Sequence, residues 1–386
     1  MIYIHVPFCH RKCTYCAFHS RPSQGSNERY VNALVNEMAL RKGEWRGPVR
    51  TLYFGGGTPS ILSLNELGRI VEALHRHFDL SHLEEMTLEA NPEDLDRDYL
   101  EGLRSLGFNR LSVGIQSLDD AMLHLLNRRH SAAQALQALE TAQSVGFENI
   151  SVDFIYGLPR QFQFSTFNFQ LVTHISAYAL TVEPGTALAM QMEQGRVALP
   201  GEEEVVRQYH ALHEVFTREG FVQYEVSNYA RPGYESRHNS RYWDRTPYLG
   251  LGPAAHSFAL SDDGFTSVAH SGKRRWNLAD NERYMASLAS GTSQTSGTSK
   301  ASPYFEEELL SERDACNELF MTSLRTVRGL QVAALPQRYR EPLIRAMRPY
   351  VECGWVEVEG QLELLRFRPT AEGLLHADGM AAALFV

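Results

Sequence analysis

The chain is poor in cysteine, in long apolar runs and in concentrated positive charge, and each shortage excludes something. Five cysteines stand in 386 residues. Cys9, Cys13 and Cys16 fall together near the N-terminus, while Cys316 and Cys353 lie far away. An odd count with one tight cluster argues against a disulfide framework and for a reducing compartment. No stretch reaches the roughly 18 apolar residues that a membrane-spanning helix needs. The opening MIYIHVPFC has no basic segment followed by an apolar one, so it does not read as a signal peptide. The net charge is −9 and the pI about 5.9. The nearest approach to a basic patch is Arg128, Arg129 and His130, too short for a nucleic-acid surface. These absences predict a soluble, cytoplasmic protein with no nucleic-acid partner.

What is present is a repeating pattern. The runs at 2–6, 51–56, 86–91, 110–116, 149–157 and 174–182 are short, β-branched or apolar, and read as strands. Amphipathic helical patterns lie between them. Val31, Leu34, Val35 and Met38 share one face. So do Leu67, Ile70, Val71, Leu74 and Phe78, behind a capping box at Ser63 and Glu66. Leu95, Tyr99, Leu103 and Leu106 form a third face, closed by Gly107 as a C-cap. Leu136, Leu139 and Val145 continue the series. Strand–helix alternation predicts an α/β fold with a parallel sheet, either a partial or complete α/β barrel or a doubly wound sheet. In both, ligands bind at the carboxyl ends of the strands. The unusual segments sit at those ends: the cysteines, GGGTP, EANP, GIQS and YGLP.

The crossover at 160–173 departs from the pattern. Phe162, Phe164, Phe167 and Phe169 nearly alternate, and the segment is close to the minimum length for a crossover. A short helix, an extra strand and an irregular loop all remain open for it. Beyond residue 183 the pattern weakens. Residues 201–220 read as one helix with Val205, Tyr209, Leu212 and Phe216 inward, and 221–280 as a stretch of aromatics and turns. The Ser/Thr/Gly run at 290–303 reads as a boundary. The last part predicts helices over about 305–326 and 336–348, a hairpin near Glu359-Gly360 and a terminal helix. That is a winged-helix-like α+β module. With nine Arg and no Lys against thirteen Asp and Glu in 301–386, it is not a DNA binder. The expected division is 1–225, 226–303 and 304–386.

Cys9, Cys13 and Cys16 form C-x3-C-x2-C directly after the first strand. Zinc sites usually pair two C-x2-C knuckles or add histidines, and His5, His10 and His19 are near enough in sequence to do so. An iron–sulfur cubane held by three thiolates instead leaves one iron open.

The C-x3-C-x2-C motif resembles that of the radical S-adenosylmethionine (SAM) superfamily. The resemblance implies a partial (β/α)6 barrel and a [4Fe–4S] cluster on Cys9, Cys13 and Cys16. It also implies SAM chelating the open iron, and an electron from the cluster that cleaves the sulfonium C–S bond. By the same resemblance Gly56, Gly57 and Thr58 in GGGTP meet the methionine end of SAM, and Glu89 contacts it. Gln116, Arg128 and Asp153 lie around its ribose and carboxylate. Arg128 is the natural counter-charge to that carboxylate, and Tyr3 and Tyr15 pack on the adenosyl group.

YIHVPFC, GGGTP, LEANP, GIQS, SVDFIYGLP and VEPGT together resemble the coproporphyrinogen-oxidase-like branch of the superfamily, over nearly the whole chain. The oxidases of that branch carry a further cysteine where this chain has Phe18, which favours the branch's haem chaperones. His238-Asn239-Ser240-Arg241-Tyr242-Trp243 resembles the H-N-x-x-Y-W pattern associated with haem there. Imidazole is a common haem ligand, and Tyr242 and Trp243 offer flat apolar surface. His256 in LGPAAHSF is a second candidate ligand. The expectation is a haem carrier with SAM on its cluster, uncertain as an enzyme. It would serve acceptor haemoproteins such as respiratory enzymes and associate at most peripherally with the cytoplasmic membrane. An oxygen-independent coproporphyrinogen III oxidase is the alternative, and a barrel with a purely structural cluster is the third reading.

Overall fold

The computed structural model describes residues 1–22, 25–160, 164–260, 272–289, 304–361 and 364–386. The expected strands form within a residue or two, except that the sixth stops early: β1 Ile2–Val6, β2 Thr51–Gly56, β3 Glu85–Ala90, β4 Arg110–Gln116, β5 Asn149–Tyr156 and β6 His174–Ala179. They pair in parallel in chain order, β1 to β6. Four crossovers carry helices on the outer face: α1 Asn27–Arg41, α2 Leu64–His77, α3 Arg97–Ser105, and α4 Asp120–Leu125 with α5 Ala132–Ser144. The capping box at Ser63 is formed, and Ser131 with Gln134 makes a second one at the head of α5. After α3, Gly107 takes φ 94°, its N–H reaches Arg104 O, and the Phe108 N–H reaches Leu103 O. That is a Schellman stop, which needs a residue with no Cβ penalty at positive φ.

The fifth crossover has no helix among its described residues, only a 3₁₀ turn at Phe169–Leu171. Residues 161–163, with Phe162, lie outside the described set. Phe164, Phe167 and Phe169 fold in as an aromatic cluster. Phe164 and Phe167 meet Phe154 of β5 edge-on at 5.5 and 5.7 Å, and Phe169 lies 4.8 Å from Phe167. The next helices are α6 Ala187–Glu193 and α7 Glu202–Arg218. Phe216 of α7 closes the cluster over the sheet. Three rings thus cover the strand face that a helix covers elsewhere, each pair adding on the order of 1 kcal/mol beyond burial.

The stretch that reads as aromatics and turns holds regular structure. It contains β7 Val222–Gln223, β8 Asn228–Ala230, α8 Arg237–Trp243, β9 Leu249–Leu251, β10 His256–Leu260 and β11 Gly272–Asn277, and α9 Asn281–Ser287 follows it. β8 joins β6 antiparallel and β9 joins β1 in parallel. Among the described residues the sheet therefore has nine strands, ordered β7-β8-β6-β5-β4-β3-β2-β1-β9. It is open at both ends and does not close into a barrel.

One expectation is corrected here. The helix predicted over 305–326 begins late: β12 Phe305–Leu309 precedes α10 Glu312–Leu324. Glu306, Glu307 and Glu308 are poor strand formers by composition. Opposite Glu308 and Glu307 in β11 stand Arg274 and Arg275, and Lys273 lies diagonal to Glu307, with Arg274–Glu308 at 3.1 Å and Lys273–Glu307 at 2.7 Å. Cross-strand charge pairing overrides the local preference. The 290–303 run lies outside the described residues. The C-terminal module continues with β13 Leu330–Gln331, α11 Gln337–Glu352, β14 Val356–Glu359, β15 Arg366–Pro369, α12 Ala371–Leu375 and α13 Ala377–Ala383. Its sheet, ordered β13-β15-β14, and its own core around Phe320, Leu335, Met347 and Phe367 make the winged-helix-like unit.

A buried ion network fastens β9 to β11 onto α1. Arg41 pairs with Glu37 at 3.0 Å and donates to Gly250 O and Ser257 Oγ. Glu37 also accepts from Asn277 Nδ2 at 2.7 Å, from the Gly252 N–H at 2.8 Å and from Tyr284 OH at 2.6 Å. Burial of such a pair is tolerable only because every remaining valence is met. Glu37→Ala leaves the Arg41 charge uncompensated, and the expected loss is about 3–5 kcal/mol of unfolding free energy in denaturant titration. Glu72→Ala, which removes an exposed partner of Arg76, should cost under about 1 kcal/mol.

Candidate active site

The carboxyl ends of the parallel strands surround a cavity of about 520 Å³. Cys9, Cys13, Cys16, Tyr15, Gly56, Gly57, Thr58, Glu89, Gln116, Arg128 and Asp153 all line it. Residues scattered from 9 to 153 meet there because each lies on, or follows, a parallel strand of one sheet.

The cysteine loop is held from three sides. The Cys9 N–H bonds Arg21 O at 3.1 Å. Thr14 donates its N–H to Leu126 O and its hydroxyl to Leu125 O, and the Leu188 N–H of α6 reaches Thr14 O. Asn127, at φ 60°, donates its side-chain amide to Lys12 O at 2.8 Å and accepts from Arg11. Thr58 Oγ1 donates to Cys9 Sγ at 3.3 Å, and Arg128 Nη1 approaches Cys13 Sγ at 3.5 Å. Arg128 is itself oriented by Asn91 Oδ1 and Gly114 O, both at 2.6 Å. A Cβ on Gly57 would lie 2.5 Å from Phe8 O, so only glycine lets the end of β2 close on the loop.

Glu89 accepts from Tyr53 OH at 2.9 Å and from the Gly56 N–H at 3.1 Å. Burial and the neighbouring Asp153 carboxylate raise its pKa to about 7. Burial also pushes the Asp153 carboxyl up, although Ser112 Oγ donates to it at 3.3 Å. Burial raises the Cys16 thiol as well. Gln116 takes φ 67° at an irregular β4–β5 register, one of four non-glycine residues with positive φ among the described residues.

Three sites of the sequence reading stand elsewhere. Tyr3 does not line the cavity. It lies beneath it, stacked 6.2 Å from Tyr53 and donating to His5 Nδ1 at 3.1 Å. The HNSRYW segment is α8, at the opposite end of the sheet. His238 has 0% exposure, with Nδ1 2.9 Å from Thr51 Oγ1 and Nε2 3.2 Å from Tyr242 OH. Glu85 accepts the N–H groups of Arg237 and His238 at 2.9 Å each. Thr51 and Glu85 begin β2 and β3, so α8 plugs the floor. Asn239 gives its N–H to the helix cap Ser236, Tyr242 packs edge-on to Tyr248 at 4.8 Å, and Trp243 lies 5.5 Å from the Arg325 guanidinium of the C-terminal module. His256 is exposed at the start of β10, 6.2 Å from the Trp276 ring at an interplanar angle of 22°.

Asn91 lies within EANP but has no role in that reading, and the motifs did not point to Asn127, Ser112 or Tyr178. Tyr178 is 44% exposed and lines the cavity. The period of two from Ser176 to Tyr178 in β6, continued by Leu180 just beyond it, is the signal that would have found it.

The donor set fits an iron–sulfur cubane. Among the described residues no three Cys, His, Asp or Glu side chains converge on a single ion. A cubane asks for something else, one thiolate on each of three irons, and three free cysteines on one loop offer that. Fold and loop together define a class of proteins that hold a cluster and a small cofactor at the mouth of an open α/β barrel.

The sequence pattern of the radical SAM superfamily matches residues 3–163. "Heme chaperone HemW" of Lactococcus lactis subsp. lactis is 32% identical over 348 residues, 88% of this chain and 84% of its own length. The protein of the same name from Mycobacterium tuberculosis is 35% identical over 394 residues, 99% of this chain and 94% of its own. Among solved structures, the coproporphyrinogen III oxidase HemN of Escherichia coli, a radical SAM enzyme, superposes with a TM-score of 0.78. It covers 100% of this chain and 89% of that one at 23% identity, a likeness of fold. The chain belongs to the radical SAM superfamily and, within it, to the HemW family. Its cofactors are accordingly a [4Fe–4S] cluster and SAM.

Asn127→Ala removes the loop's side-chain clamp and puts a poorly tolerated residue at positive φ, a local cost of about 1–3 kcal/mol. The expected outcome is faster iron loss to a chelator after anaerobic reconstitution, with iron per chain and the visible absorption of the cluster as readouts. Unchanged iron retention would show that the clamp is dispensable.

Proposed function

We propose that this protein is a haem chaperone: it takes up haem and passes it to acceptor haemoproteins, such as respiratory enzymes, while SAM occupies the cluster at the mouth. The similarity to named haem chaperones across 84% and 94% of their length carries this reading. Phe18 supports it. Where a further thiol would mark the oxidases, an aromatic ring lines the cavity rim, 71% exposed. No described helix is long and apolar enough to cross a membrane. A cytoplasmic carrier of an apolar cargo that meets the membrane only peripherally is therefore part of the same proposal.

Cys9, Cys13 and Cys16 would hold the cluster, which when bound would supply an open iron for SAM. Gly56, Gly57 and Thr58 present backbone and hydroxyl groups to the methionine end. Arg128, fixed by Asn91 and Gly114, offers the counter-charge to the carboxylate. Tyr15, Gln116 and Asp153 enclose the remainder, and Glu89, beside the Gly56 N–H, contacts SAM. For His238, Asn239, Tyr242 and Trp243 to meet haem, α8 must leave the floor of the sheet, because both ring nitrogens of His238 are engaged.

The test of function is anaerobic: reconstituted protein is given haem, freed of excess, and mixed with an apo-haemoprotein. Retention of about one haem per chain and its transfer to the acceptor are expected. Consumption of coproporphyrinogen III without haem retention would replace this reading by the oxidase one.

A pH dependence follows from Glu89. Its pKa of about 7 keeps it half-protonated near neutrality, and the sulfonium charge of SAM favours the carboxylate. Binding therefore expels a proton and tightens as pH rises through about 7. Between pH 6 and pH 8 the expected gain in SAM affinity is about tenfold, flattened in Glu89→Gln, as equilibrium dialysis would measure.

A further inference from the structure

Four arginines are buried among the described residues: Arg41, Arg110, Arg245 and Arg275. Arg41 pairs with Glu37, Arg245 with Glu318 and Arg275 with Glu44. Arg110 differs from these three. It is 1% exposed, it makes no ion pair, and its Nε and Nη1 have no hydrogen-bond partner among the described residues. A guanidinium keeps its charge inside a protein. A buried charge without a direct partner is costly, so opposite charges must stand near enough to offset it.

Strand register identifies those charges. Arg110 opens β4, opposite Thr87 of β3 and Asn149 of β5. Successive residues on one face of a strand lie about 7 Å apart. Two residues on, Ser112 shares the Arg110 face and donates to Asp153 at 3.3 Å. Glu89 stands opposite Ser112, two residues after Thr87. Arg110 therefore lies one row beneath both Glu89 and Asp153. Glu85 is one row to the other side of Thr87, where the N–H groups at the head of α8 already hold it.

We propose that Arg110 is a positioning residue of the SAM site: from one row below, its fixed charge keeps the Glu89–Asp153 pair negative towards the sulfonium. The inference rests on the reading that Glu89 contacts SAM, and it is independent of the haem reading. Burial alone favours the protonated form of both carboxyls, and Arg110 opposes it. Arg128 also faces Asp153, but in the proposed site its charge is engaged by the SAM carboxylate. The remaining neighbours are uncharged. Tyr53 donates to Glu89, and Tyr3, Tyr178 and Tyr242 stand near it, all four phenols neutral because burial raises them. Ser112 and Ser176 face Asp153. His174 and His238 stand near Arg110 and are held neutral, first by burial and then by nearby positive charge, that of Arg110 included. Tyr224 lies by Arg110, with Glu225 beyond it bound to the Ser227 N–H. Two carboxyl groups this close titrate as a pair. Without the guanidinium beneath them they would keep a proton at neutral pH, which a cationic cofactor would then have to displace.

The experiment measures SAM binding to the full-length, cluster-reconstituted protein by anaerobic equilibrium dialysis from pH 6 to pH 9. Arg110→Met removes a charge that favours the carboxylates, so the pair ionises at higher pH. The expected affinity at pH 6 is about tenfold below wild type, equivalent to a midpoint raised by about one unit. The gap should close towards pH 9, where the pair is ionised in both proteins. There the variant should bind as tightly as wild type or more so, because the guanidinium also repels the sulfonium. Arg110→Gln, likewise neutral, should repeat this profile, and Arg110→Lys, which keeps a positive charge, should return it to that of wild type. Calorimetry in buffers of different ionisation enthalpy should find more protons released per SAM near pH 7 in Arg110→Met than in wild type. Equal affinity of wild type and the neutral variants at pH 6 overturns the assignment. So does a loss of the same size at every pH, which marks a purely structural role. A wild-type affinity that stays flat from pH 6 to pH 8 sinks the Glu89 reading, and the assignment with it.

Discussion

Glu37 is the carboxylate on which the arrangement of this chain turns. It sits on a helix of the N-terminal half, and its partners come from α1, from Gly252 just after β9, from β11 and from α9. Nothing in the hydrophobic effect specifies how β9 should lie against β1, because apolar packing is non-directional. A buried charge is directional: it accepts only the geometry in which every lone pair is met. The Glu37–Arg41 pair thereby sets the register of the segment that extends the sheet beyond β1. Register in turn decides which side chains of β10 and β11 face outward.

Parallel pairing does the corresponding work for the cavity. When six strands run the same way, all their carboxyl ends lie on one side. A loop of three cysteines, a triple glycine, a buried glutamate and an arginine that are far apart in sequence then share one wall. The helices matter to the site only indirectly, by covering the outer face, and the fifth crossover illustrates the point. It has no helix among its described residues, yet the Phe164, Phe167 and Phe169 cluster covers β5, and the β5–β6 pairing is retained over six residue pairs.

This division explains what could be read in the sequence. Period and capping located β1 to β6, α2 and the Gly107 stop, because those signals are local. The cavity-lining set followed from the motifs once the strands were parallel. β7 to β9 were not legible. They are two or three residues long, and their pairing is imposed by neighbours rather than by their own pattern. β12 was misread as helix because its glutamates are stabilised by basic residues of β11, a contact invisible to any window along the chain. Tyr3 was placed at the cofactor because it flanks the cysteines in sequence. Its position two before His5 on the same strand face puts it one layer deeper instead.

The two histidines of the haem reading show the same limit from the chemical side. HNSRYW is the more distinctive string, and sequence alone ranks His238 first. In the fold that string also meets structural demands. A helix that must cap two strand starts, receive a carboxylate at its N-terminus and press two aromatic rings into the floor has little freedom of residue choice. His256 belongs to a plainer string and stands exposed at the start of β10, beside the Trp276 ring. A motif records constraint without saying whether packing or chemistry imposed it. The hydrogen-bond state of the imidazole separates the two, since a ring nitrogen already shared with Thr51 or Tyr242 must give up that bond before it can hold a metal.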